Sequence, residues 1–362
     1  MKHKNNLLIL QVISTPIGGG AEVLVRELND KLCNYGIASE AIYFSGKGIH
    51  LHVNESELKI GIRNPFAILK LRKIFRSKIA SFDKLIIHAH LTWPFFYVIF
   101  AAIGLDIKLI FTEHNTSNRR RRIYFFKYIE RIFYSRYTYI VCISQGVKKS
   151  LKNWVGKKLY TRTQVIYNGA FLYRLKEKNY LPKTVRFISV GSLVKRKGFE
   201  ISLATLSLLK GVEWNYTILG EGDERNRLSH LAIQLNIRDK VHFVGWSNEV
   251  EKYLHEADIQ LIPSLWEGFG LVAVEGMSTG LPIVASNVDG LREVLDKDNH
   301  AVFLVDEIDN PQCWVEKIEK CISRLKESPD LLAESSRRQA EKFSLDKMIC
   351  NYANLYKKIG GI

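Results

Sequence analysis

Short, nearly continuous apolar runs recur along this chain, each ending in a glycine or polar turn and most followed by a helix-length stretch. "NLLILQVIS" (6–14) leads into the amphipathic "AEVLVRELNDKLCNYG" (21–36), which Gly36 closes. The pattern continues through "ASEAIYF" (38–44), "DKLIIHAH" (83–90), an apolar helix at 94–104, "KLIFTEH" (108–114), "YIVCIS" (139–144) and "TQVIYNG" (163–169). Strand, helix, strand at this spacing requires a mostly parallel sheet covered on both faces. Near 170–184 the rhythm lapses into a polar stretch with a proline. It restarts with "VRFISVG" (185–191), "WNYTILG" (214–220), "VHFVG" (241–245), "IQLIP" (259–263), "PIVAS" (282–286) and "AVFLV" (301–305), and helical stretches at 312–325 and 331–358 end the chain. The expectation is α/β: two doubly wound domains with a cleft between them, for which 362 residues suffice. Ligands of such sheets bind beyond the carboxyl ends of the strands, so the turns there should carry the chemistry.

The bulk numbers narrow the partners. No run reaches the roughly 18–20 apolar residues of a membrane span; the longest, "WPFFYVIFAAIGL" (93–105), reads as a buried helix. No small-residue cleavage site follows the first apolar run, so no signal peptide is expected. Five scattered cysteines without a CxxC pair fit reduced thiols in a cytosol. His88-Ala89-His90 is an H-x-H pair with no third ligand in view, and packing at a strand end is its default role. The net charge is +16, and residues 1–180 hold 30 Lys and Arg against 11 Asp and Glu, whereas residues 181–362 hold 23 against 26. Such asymmetry points to a polyanionic surface touched by the first half alone, either nucleic acid or an anionic membrane.

In the first half, Gly18, Gly19 and Gly20 precede a helix start, leaving N–H groups and the positive helix end to face an anion. The stretch is not GxGxxG, and no acidic residue ends the second strand, which disfavours NAD. His114 ends a strand beside a polar loop, where an imidazole can meet a ligand. Arg119, Arg120, Arg121 and Arg122 then open an aromatic and basic helix suited to lipid head groups. In the second half, "GSLVKRKGFE" brings Ser192, Lys195, Arg196 and Lys197 to a strand-to-helix turn, where cations suit a diphosphate. Gly220 and Gly245 end the next two strands. In "PSLWEGFGLVAVEGMSTGLP" (263–282), Glu267 lands in a turn with Gly268, Phe269 and Gly270, and Glu275 sits about one turn into the helix that opens at Leu271. Two carboxylates there can accept from two vicinal diols, so the expected ligand carries two polyols joined by phosphates.

These segments resemble the retaining glycosyltransferases of family 4, which have the GT-B fold of two facing Rossmann-like domains. Glu267-x7-Glu275 is similar to the family's E-x7-E segment, and "GGGAE" (18–22), "TEHN" (112–115), "CISQGVKKSL" (142–151), "VIYNGA" (165–170), "VGSLVKRKGFE" (190–200) and "LGEGDE" (219–224) follow in the expected order. The resemblance implies an acceptor domain over 1–175, a nucleotide-sugar domain over 185–343 and a closing helix over 344–362 that crosses back to the first domain. It implies that Glu267 contacts the donor sugar, Glu275 the ribose and Lys197 the diphosphate. His114 would lie near the transferred sugar, and Gly19 and Gly20 near the phosphates. The family usually has arginine where this chain has Ser192, so half of the cationic clamp is missing unless Lys195 or Arg196 substitutes.

Transfer by this design leaves negative charge on the nucleotide diphosphate, which fixed cations and N–H groups stabilise. Retention by same-face attack needs no enzymic nucleophile, and no metal or other cofactor is required; Asp296-Lys297-Asp298 is formally D-x-D but follows a helix. The expected donor is a UDP-hexose or UDP-N-acetylhexosamine and the acceptor a glycan or lipid-linked sugar in bacterial polysaccharide synthesis. The expected location is cytoplasmic, peripheral on the inner face of the cell membrane through residues around 60–78 and 117–136. The rival readings are a same-fold epimerase or sugar-phosphate synthase, a weakly active partner subunit and a nucleic-acid binder, for which no module is recognisable.

Overall fold

The structure, a computed structural model, describes residues 7–114, 125–175 and 183–362. The chain divides into two compact units, Met1–Gly169 with Asp346–Ile362, and Ala170–Leu345. Residues 170–175, assigned from sequence to the first domain, therefore belong to the second. In that unit the Tyr173 N–H donates to Ser278 Oγ at 3.0 Å, and Arg337 Nη1 donates to the Tyr173 carbonyl at 2.6 Å.

The first unit is built on strands β1 (Leu7–Ile13), β2 (Ala38–Tyr43), β3 (Glu55–Glu57), β4 (Lys84–His90), β5 (Lys108–Glu113), β6 (Tyr139–Cys142) and β7 (Thr163–Val165). They pair in parallel in the order β3-β2-β1-β4-β5-β6-β7. Helices α1 (Gly20–Lys31), α2 (Ala67–Ser81), α3 (Thr92–Ala102), α4 (Phe126–Ser135), α5 (Gln145–Val155) and α6 (Lys157–Tyr160) lie between the strands. The central strands β1, β4 and β5 are buried on both faces, as their near-continuous apolar sequence demands; every residue of β1 is buried.

The second unit carries β8 (Thr184–Val190), β9 (Glu213–Leu219), β10 (Val241–Gly245), β11 (Ile259–Ile262), β12 (Ile283–Ser286) and β13 (Val302–Val305), in the parallel order β10-β9-β8-β11-β12-β13. Its helices are α7 (Phe199–Leu208), α8 (Arg225–Gln234), α9 (Val250–Glu256), α10 (Leu271–Ser278), α11 (Asp289–Arg292), α12 (Pro311–Glu327) and α13 (Pro329–Glu341). Phe187, Tyr216, Leu261, Val284 and Trp314 are among the buried side chains of its core. The last helix, α14 (Leu345–Gly360), packs in the first unit from Asp346 onward: Lys108 Nζ donates to the Ile359 carbonyl at 2.6 Å.

Both sheets reverse direction of growth at their first strand: β1 lies between β2 and β4, and β8 between β9 and β11. Connections leaving neighbouring strands to opposite faces open a crevice at the carboxyl edge, which in the second unit falls between β8 and β11.

Candidate active site

Leaving β8, the chain passes Gly191 and Ser192 and coils through a single 3-10 turn, Lys195–Lys197. Gly198 closes that turn with φ 63°, and a side chain there would come within 2.1 Å of the Pro263 carbonyl oxygen. Only glycine allows both the left-handed backbone and this approach to the end of β11. The Leu265 N–H then donates to the Arg196 carbonyl at 2.8 Å, stitching the two turns together.

That closeness brings charge together. Lys197, its stem lying over Gly191, forms an ion pair with Glu267 Oε1. Ser264 Oγ donates to the same oxygen at 2.8 Å, and Arg196 Nη1 stands 3.7 Å from Oε2. The Glu267 side chain is only 7% exposed and that of Lys197 12%, so this pair is held largely out of water. Removing either partner would strand a buried charge, which costs far more than an exposed pair is worth. Lys195 is exposed and has no ion-pair partner among the described residues.

Glu275 follows one turn into α10. Among the described residues its carboxyl group has no hydrogen bond or ion pair. Burial pushes its pKa up to about 7, against the pull of the Lys197 charge. Tyr173 is close enough that, after burial, the Glu275 and Glu251 charges help push its hydroxyl up to about 12. One carboxylate is thus paired and a second is held unpaired near the same ammonium. A ligand with hydroxyls to donate and phosphates to be neutralised satisfies both.

The other positions in this unit fall around the pair. The Gly191 N–H donates to the Leu219 carbonyl at 2.9 Å and the Gly220 N–H to that of Gly245 at 2.8 Å, so the three glycines line one strand-end edge. Gly268 and Leu271 are partly exposed, and Gly270 caps α10. Phe269 departs from expectation: its ring is buried edge-on against Phe343, centroids 5.6 Å apart, so its side chain is not at the ligand face. Asp296 Oδ1 accepts from the Asp298 N–H at 3.1 Å, making that D-x-D a local turn. Two contributors escaped the sequence reading, Ser264 and Tyr173. Ser264 lies three residues before Glu267, a spacing from which a hydroxyl reaches a carboxylate; Tyr173 comes from distant sequence and gave no local signal.

In the first unit the glycines behave differently from expectation. Glu22 Oε2 accepts from the Gly19 N–H at 3.0 Å, so one amide expected to face an anion is taken by the helix's own capping carboxylate. Gly20 opens α1 and is exposed. His114 follows β5 with its Nε2 3.4 Å from His90 Nδ1, and burial lowers its pKa to about 4. Arg119, Arg120, Arg121 and Arg122 lie outside the described residues.

Two doubly wound parallel sheets, one with cations and acids at its switch point, define a protein of the GT-B fold. Comparison with known proteins agrees. Residues 18–172 match Glycosyltransferase Family 4 and residues 174–339 match Glycosyl transferases group 1. An uncharacterized glycosyltransferase of Haemophilus influenzae is 32% identical over 69% of both chains. One of Methanocaldococcus jannaschii is 28% identical over 97% of this chain and 98% of its own. HepE of Anabaena, solved in complex with UDP and glucose, superposes with a TM-score of 0.76 at 17% identity, covering 97% of this chain and 99% of its own. The chain belongs to the family 4-like glycosyltransferases.

Proposed function

We propose that this glycosyltransferase takes a hexose or N-acetylhexosamine from a UDP-sugar and transfers it, with retention, to a glycan or lipid-linked acceptor. The observation that carries the reading is the Lys197–Glu267 pair beside the unpaired Glu275 at the switch point of the second sheet. HepE's complex with UDP and glucose supports the choice of donor. Incoming phosphates compete for Lys197 and free Glu267 to accept from sugar hydroxyls, while Glu275 accepts from the ribose diol. Arg196, already within 3.7 Å of Glu267, is the second cation in the absence of an arginine at 192. Gly20 would approach the phosphates and His114 a sugar hydroxyl.

In the reaction the bond from the anomeric carbon to the diphosphate breaks and the acceptor oxygen bonds to that carbon on the same face. The departing phosphate oxygen takes the acceptor's proton. Lys197 and Arg196 offset the charge that builds on the diphosphate. The acceptor is bound by the first unit, whose basic surface suits a lipid-linked sugar in an anionic membrane. No helix of the described residues is long and apolar enough to cross one.

Incubation with UDP-glucose, UDP-galactose and their N-acetylamino counterparts, followed by NMR, tests this. The expected result is UDP release with one donor and a first-formed sugar of unchanged anomeric configuration. An inverted first product would overturn retention, and epimerised donor without UDP release would overturn transfer.

A further inference from the structure

The first unit buries an unbroken file of polar side chains. His114 Nε2 lies 3.4 Å from His90 Nδ1, and His90 Nε2 lies 2.9 Å from Gln11 Oε1. Gln11 Nε2 donates to the Tyr356 hydroxyl at 3.2 Å, which stands 2.6 Å from His88 Nδ1. His88 Nε2 reaches Thr112 Oγ1 at 2.8 Å, and Thr112 reaches the Tyr352 hydroxyl at 3.1 Å. Gln11, His88, His90, Thr112, Tyr352 and Tyr356 are all buried.

Burial holds all three imidazoles below their ordinary pKa, so each is neutral near pH 7 and carries one N–H. One N–H per ring makes the file directional. The Gln11 carbonyl can only accept, so His90 must carry its proton on Nε2 and leave Nδ1 bare. A bare His90 Nδ1 requires the N–H of His114 to be on Nε2. On the other side the Gln11 amide donates to Tyr356, the Tyr356 hydroxyl to His88 Nδ1, and His88 Nε2–H to Thr112. Turning the Gln11 amide over would reverse every bond together, so direction belongs to the file as a whole.

We propose that this file, anchored on Tyr356 of α14 and Gln11 of β1, fixes His114 as the Nε2–H tautomer and presents its Nδ1 lone pair as a hydrogen-bond acceptor for a hydroxyl of the transferred sugar. Among the described residues Nδ1 has no partner of its own. Gln11, His90 and Tyr356 are then positioning residues: none need touch substrate, and each sets what His114 offers. The sugar hydroxyl as the bound group rests on the glycosyltransfer reading above; the tautomer does not.

The test is a long-range nitrogen–proton NMR spectrum of the free protein with nitrogen-15 histidine, His114 assigned from His114→Gln. The expected spectrum shows His114 protonated on Nε2 with Nδ1 bare. Tyr356→Phe, which removes a hydroxyl hydrogen-bonded to neither His114 nor His90, should let the Gln11 amide turn and produce a mixture of His114 tautomers. His114→Ala should raise the donor KM by about 2- to 10-fold, the worth of one neutral hydrogen bond. An Nδ1–H tautomer in the wild type overturns the proposal. So does an unaltered His114 spectrum in folded Tyr356→Phe. If the tautomer is as stated but no sugar nucleotide binds, the functional reading fails and the tautomer assignment stands.

Discussion

Glu275 is the residue whose environment makes the most specific demand. An ordinary glutamate titrates near 4.5, and burial carries this one to about 7 in the folded protein. A raised folded pKa means that the neutral acid is favoured by folding. Its stabilising contribution is therefore complete below about pH 4.5 and is lost as pH rises through about 7. Glu275→Gln abolishes that dependence. In urea unfolding, the variant should gain on the wild type by about 2 kcal/mol between pH 5 and pH 8. A stability difference independent of pH would show that Glu275 is not held in a desolvated site. Glu267 and Lys197 were legible because their glycine-flanked turns follow strands, but their direct pairing was not: it depends on Gly198 pressing against Pro263, a contact between segments far apart in sequence.

At the scale of elements, the strands were legible wherever an apolar run ended in a glycine or polar turn. β3 was missed because three residues, Glu55–Glu57, are too few to show a period. The stretch 331–358 read as helical with a closing helix from 344, and the structure breaks it at that point: α13 ends at Glu341 and α14 begins at Leu345. The break is tertiary in origin: the Ala170 N–H donates to the Phe343 carbonyl at 3.0 Å and the Leu345 N–H to that of Ala170 at 2.9 Å. Helices α2, α3 and α4 form one face of the first unit. Arg72 of α2 donates to the Ile103 carbonyl at 2.6 Å, and Phe100 of α3 stands 5.6 Å from Phe133 of α4. Outward on that face are Phe66, Leu69, Ile103, Phe125, Tyr128 and Ile132, with exposed Lys73 and Arg76 following Leu69 along α2. Apolar side chains among cations suit the boundary of an anionic bilayer. The protein should sediment with anionic vesicles at low salt. Lys73→Glu with Leu69→Ser should weaken that binding by at least about 5-fold, since each surface cation contributes on the order of 1 kcal/mol. Equal binding to neutral and anionic vesicles would contradict a membrane role for this face.

For the whole molecule, charge separates the two units' chemistry. The first 180 residues carry 30 cationic side chains against 11 anionic, a broad field for an extended anionic surface. The second unit is nearly balanced, and Arg196, Lys197 and Glu267 of its charged side chains meet at the β8–β11 crevice. Composition revealed the first pattern and motif spacing the second. The buried file behind His114 stayed hidden, although a glutamine within the otherwise apolar β1 and the His88/His90 pair were its traces. The central claim is that Lys197 and the two acids hold a nucleotide sugar, and calorimetric titration of UDP into the wild type, Lys197→Ala and Glu275→Gln tests it most directly. The account predicts binding to the wild type and a loss of roughly 10- to 100-fold on removing the Lys197 charge, with a smaller loss for Glu275→Gln. Equal affinity in all three proteins would contradict it.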